Sequence, residues 1–121
     1  MKANIYMFYS FLVAVLLTAA QTVWKMAFNK IGEITFSLND FHKFFNPFIL
    51  TGIVLYIIAT FLWFKVLHAL PLSIAYPILS VSYVFGYFIG ITVFKESFSF
   101  VSLIGVLLIM TGVSLLAYNV K

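Results

Sequence analysis

Four apolar stretches dominate the chain: Ile5 to Trp24, Phe48 to Phe64 with a tail to Leu67, Leu72 to Phe94, and Phe98 to Tyr118. Each approaches the roughly 20 residues that carry a helix across a ~30 Å hydrocarbon core. The pattern predicts four membrane-spanning helices, at about 5–25, 47–67, 71–94 and 98–118, in a single domain over 1–121 with no soluble part. Function must then reside in or between the helices. The first stretch is longer than the apolar core of a signal peptide, and its end, TAAQTVWKMAF, offers Gln21 and Lys25 where a small-residue cleavage site belongs. It is read as the first span.

The polar breaks between the stretches are unequal. NKIGEITFSLNDFHKFFNP, residues 29 to 47, is the one long connection. Ser37 followed by Asp40 resembles a capping box with the acid one carbon short, and Phe41, Phe44, Phe45 and Phe48 recur at helical spacing. The spacing predicts a short interfacial helix over about 38–46, after which Asn46 and Pro47 open the second span. The other links, ALP at 69–71 and KES at 95–97, are tight, so sequential spans are antiparallel neighbours.

Inside the third span the apolar pattern is interrupted by SIAYPILSVSYVFGYFIG, residues 73–90. At about 3.6 residues per turn, Tyr76, Ser80, Tyr83 and Tyr87 share one face, and Ser82, Gly86 and Gly90 share another. The glycine stripe is a small-residue seam that lets a second backbone approach closely. The tyrosine face carries groups that hydrocarbon cannot satisfy, which directs it to a protein interior or a wet cavity; as an interfacial aromatic belt it would account for Tyr76 but not for Tyr83 in mid-span. Pro77 leaves the Ser73 carbonyl without its helical partner, which predicts a kink near Tyr76.

The first span supplies Thr18, Gln21, Thr22 and Lys25. Gln21 can donate and accept, toward a substrate or toward a neighbouring helix; Lys25 can snorkel to the interface or meet an anion. Both fall at the level of Tyr87 to Ile91, with Tyr76 at the opposite level, so an inverted second copy would bring its Tyr76 to Gln21. In the fourth span Gly105 and Gly112 lie on one face, another helix-packing seam.

Composition agrees with a membrane setting: 121 residues, 64% hydrophobic and 8% charged. All seven cationic residues are Lys; Lys2, Lys65 and Lys121 fall on one side of four spans and Lys25, Lys30, Lys43 and Lys95 on the other. So small a bias leaves two readings open, insertion in both orientations with antiparallel pairing, or one orientation fixed by loops or a partner. The acids Glu33, Asp40 and Glu96 all fall in connections or at helix ends. His42 and His68 have no acidic or cysteine companions, so no metal site is expected. There is no cysteine, no phosphate-binding GxxxxGK[ST] loop, no HExxH and no GxSxG. No enzyme activity, cofactor or nucleic-acid partner is expected.

AAQTVWK at 19–25, LPLSIAYPILSVSYVF at 70–85 and FKESFSFVSLIGVLLIMTGV at 94–113 together resemble half-size members of the drug/metabolite transporter superfamily, the last with an EamA-type ending of an acid followed by glycines. The resemblance covers almost the whole chain. It implies an all-α integral membrane protein, a four-transmembrane-helix bundle of the small multidrug resistance/EamA-like kind, dimeric, in a bacterial inner membrane. Small multidrug resistance exporters use a membrane-embedded glutamate in their first helix, where this sequence has Leu17, and an aromatic in the third, where it has Leu79. The ArnE/ArnF branch, associated with flipping undecaprenyl-phosphate-linked aminoarabinose, matches better: its GQxxxK pattern is AQTVWK here, with Ala20 for the glycine, and IAYP is shared.

Expected, then, is a flippase for an amphipathic substrate such as a polyprenyl-phosphate-linked sugar. Thr18, Gln21, Lys25, Tyr76, Ser80, Tyr83 and Tyr87 would line its path, with Lys25 meeting phosphate, Pro77 kinking the helix, and Ser82, Gly86, Gly90, Gly105 and Gly112 packing helices or a second chain. Membrane lipid and either an antiparallel homodimer or a similar small subunit are the expected partners. The alternatives are export of small hydrophobic or cationic compounds, and a non-transporting subunit that docks a membrane glycosyltransferase through the Phe-rich loop.

Overall fold

A computed structural model of the chain describes residues 2–32 and 37–119, so Glu33 and Lys121 lie outside the described residues. Its elements are α1 (Lys2–Ile31), a 3₁₀ helix (Leu38–Phe45), α2 (Pro47–Ala69), α3 (Leu72–Leu79), α4 (Val81–Thr92) and α5 (Phe100–Asn119), with no strand among the described residues. Among the described residues four stretches are long and apolar enough to cross a membrane, and α3 with α4 forms the third, Leu72–Thr92. In hydrocarbon only a structure that satisfies its own backbone polar groups survives, which is why each apolar run is helical.

The first helix continues past Lys25 to Ile31 and stops at Gly32, whose φ of +89° places it in the left-handed region. Its N–H donates to the Phe28 carbonyl at 2.9 Å, closing the helix end. The interfacial segment is a 3₁₀ helix, and Ser37 makes no capping side-chain bond there; Asp40 instead pairs with Lys43 at 3.1 Å. Its side chains stay on the surface, with Leu38, Phe41 and Phe45 well exposed and Phe41 edge-on to Phe45. Asn46 caps α2, its Oδ1 accepting from the Phe48 N–H at 2.9 Å, and Pro47 occupies the first turn.

Two clusters fix α1 against α2 as antiparallel neighbours. Near one end, Tyr6, Met7 and Tyr9 pack on the buried Val66, Leu70 and Ala75. At the other, the Trp24 indole covers Gly52, stacks on Tyr56 and donates from Nε1 to the Ile49 carbonyl at 3.0 Å. Ala14, Ala20 and Ala59 between them, and Ala27 beyond Trp24, are wholly buried, small side chains that let backbones approach where no hydrophobic force separates helix from lipid. Several hydroxyls within the spans are satisfied locally: Ser10, Thr22 and Thr60 donate to the carbonyls of Tyr6, Thr18 and Tyr56.

The third span breaks at Ser80, beyond Pro77, and not near Tyr76 as expected. Pro77 sits inside α3, and its carbonyl accepts from both the backbone N–H and the hydroxyl of Ser80. That tight turn ends α3, and α4 restarts as Tyr83 N–H donates to the Ser80 carbonyl at 2.9 Å. The last helix, α5, rests on α3 and α4 and buries one residue, Val106.

Candidate functional site

Two clefts meet along the face of α1. The first, about 560 Å³, lies between Val13, Leu17 and Gln21 of α1, Tyr56, Ala59, Thr60 and Trp63 of α2, and Tyr76, Pro77, Ser80 and Tyr83 of the broken span. The second, about 510 Å³, runs from Thr18, Gln21, Thr22 and Lys25 to Ser82, Gly86 and Gly90 of α4 and ends at Phe94 and Glu96. Leu17, Gln21, Ser82 and Tyr83 border both, so the two form a continuous groove. Volumes of several hundred Å³ suit a small-molecule or headgroup site.

Of the residues singled out by sequence, Gln21, Tyr76, Ser80 and Tyr83 come together in the first cleft, and Gln21 and Lys25 line the second. The single chain thus brings Tyr76 and Gln21 to one groove without an inverted copy, because α3 and α4 together present one long wall to α1. Tyr76 lies edge-on to Trp63 with ring centroids 6.4 Å apart. Thr18 is nearly buried, donating to the Ala14 carbonyl at 2.8 Å and reaching toward the Ser82 carbonyl at 3.5 Å, so it ties α1 to α4 while touching the second cleft.

Tyr87 stands apart from both clefts. Its hydroxyl donates to the Ser99 carbonyl at 3.3 Å and fastens the α4–α5 connection to α4. The Ser82, Gly86, Gly90 stripe lines the second cleft. A Cβ added at Gly86, Gly105 or Gly112 would meet nothing within 4 Å, whereas one at Gly90 would strike the Glu96 carboxylate.

Sequence reasoning missed Tyr56, Thr60 and Trp63, which form the α2 side of the first cleft. Their spacing of four and then three residues is the same face criterion that singled out Tyr76, Ser80 and Tyr83, and would have found them. Leu17, where the exporters' proton-carrying glutamate is implied by resemblance, does face both clefts, but as an aliphatic. The groove therefore offers phenols, hydroxyls and an amide along its length and charge at one end.

The sequence profile of the EamA-like transporter family matches residues 1–118. The chain belongs to that family. It is 35% identical over 113 residues, 88% of this chain and 87% of the relative, to a Serratia proteamaculans (strain 568) protein named "probable 4-amino-4-deoxy-L-arabinose-phosphoundecaprenol flippase subunit ArnF". A Proteus mirabilis (strain HI4320) protein of the same name is 30% identical over 117 residues, 89% of this chain and 88% of that one. An Escherichia fergusonii namesake is 39% identical over 70 residues, 56% of this chain and 55% of its own length. No solved structure matches. Four apolar spans and bacterial relatives of this kind make the chain a multi-pass transporter-family protein of the bacterial inner membrane.

Proposed function

We propose that the chain is a flippase subunit that moves a polyprenyl-phosphate-linked sugar between leaflets, the sugar being an aminopentose of the kind named in its relatives. The observation that carries this reading is the groove itself: hydroxyls and an amide from Tyr76, Ser80, Tyr83 and Gln21 lead to a lysine at one end. A lipid-linked sugar phosphate must take its headgroup through the core while its chain stays in lipid. Tyr and Gln can exchange hydrogen bonds with sugar hydroxyls, and Lys25 is a point charge suited to phosphate. Leu17 argues against proton-coupled drug export, because the groove has no carboxylate within the spans to exchange protons for a cation.

The groove is walled by α1 to α4, while α5 and the open faces of its Gly105 and Gly112 are free to meet a second small chain, another copy or a similar subunit. The relatives are named as subunits, which supports such pairing. Flipping of a fluorescent polyprenyl-phosphate sugar in vesicles tests the proposal. Gln21→Ala and Lys25→Ala are each expected to slow it at least several-fold; unchanged rates in both would remove these residues from the path.

A further inference from the structure

Glu96 closes the end of the second cleft, which Lys25 also lines. The backbone carries it there. Lys95 adopts a left-handed φ of 54°, and the Glu96 N–H reaches back to the Gly90 carbonyl at 3.0 Å. The side chain then folds over α4, with Oε2 2.6 Å and the carboxylate carbon 3.3 Å from the point that a Cβ on Gly90 would occupy. Glycine at 90 leaves the space the carboxylate fills. Among the described residues neither Lys25 nor Glu96 is within 4.0 Å of an opposite charge, so one cleft holds two unlike charges kept apart.

Charges held in this way suit a ligand that carries both signs. A phosphate satisfies Lys25 and leaves Glu96 facing like charge; an ammonium alone does the reverse. A zwitterionic headgroup neutralises both, and desolvating the cleft then leaves no unpaired ion. We propose that Glu96 is the specificity-determining residue for a protonated amine on the sugar, while Lys25 holds the phosphate. This rests on the flippase reading above, and deepens it by naming the group that tells an aminosugar from a neutral one.

The test is binding by the full chain in lipid nanodiscs, read by native mass spectrometry, of three probes: polyprenyl phosphate, its aminopentose conjugate, and that conjugate with the amine acetylated. Wild type is expected to prefer the free amine over the acetylated form at least tenfold. Glu96→Gln should bring that ratio close to one and tighten binding of bare polyprenyl phosphate, whose like charge Glu96 opposes, and Lys25→Gln should weaken all three. Gly90→Ala, which displaces the carboxylate without removing it, should reduce the preference in part. A ratio unaltered in Glu96→Gln, or no preference in a wild type that binds all three lipids, overturns the role of Glu96 alone. A wild type that retains none of the three overturns the flippase reading and this assignment with it.

Discussion

The indole of Trp24 lies on the backbone of Gly52, in the space any side chain there would need, and its Nε1–H donates to the Ile49 carbonyl at 3.0 Å. This is where α1 and α2 are locked. Trp24→Phe is expected to cost about 1 kcal/mol, the net value of one hydrogen bond. Gly52→Val should cost more, about 1–3 kcal/mol from overpacking, and should widen the first cleft through Tyr56. Thermal unfolding in mild detergent, with both variants measured against wild type, checks the order of the two effects.

Tyr83 and Tyr87 share a face on paper but have different surroundings, one bordering both clefts and the other tied to Ser99. Tyr83→Phe is expected to slow flipping of a lipid-linked sugar roughly 2- to 10-fold, the loss of one hydrogen bond of about 0.5–1.5 kcal/mol. Tyr87→Phe should leave the rate near wild type and lower the unfolding temperature slightly. The reverse pattern in a vesicle assay would exchange their roles.

How much of this was legible beforehand can be judged from the same pair. Four spans, the Asn46–Pro47 start of α2, and the shared face of Tyr76, Ser80 and Tyr83 follow from run length, capping chemistry and period, whereas depth along the spans set Gln21 apart from the Tyr76 that shares its cleft. Tyr87 satisfies the same period, yet helical phase says nothing of a loop that returns to meet it. Glu96 was legible only as an acid in a connection, because its position over Gly90 depends on the left-handed turn at Lys95. The break at Ser80 was displaced for a related reason: Pro77 removes one N–H, but the competing acceptor role of its own carbonyl decides where the helix ends.

Leu17 borders both clefts, which makes it the position at which a carboxylate would alter the groove most directly. In Leu17→Glu a carboxylate would face both clefts and could meet a cation there. Binding of a quaternary ammonium dye is expected in the variant and absent from wild type. Dye binding that is equal in both would contradict the geometry.

Gly105 and Gly112 face open space, so a larger side chain at either should be tolerated within the chain itself. Gly105→Leu and Gly112→Leu are expected to change unfolding of the isolated chain by less than about 0.5 kcal/mol, as surface substitutions do. If these faces meet a second chain, the same variants should shift native mass spectra from dimer to monomer. An unchanged dimer fraction would move the contact elsewhere.

The packing of α5 has a mechanical meaning. It touches both α3 and α4, the two pieces of the span fractured at Ser80, and lines neither cleft. It is a splint across that fracture. The angle between the pieces, and with it the width of the passage beside α1, is held from outside by the last helix, so anything that leans on α5 in the plane of the bilayer has leverage on the substrate path without entering it.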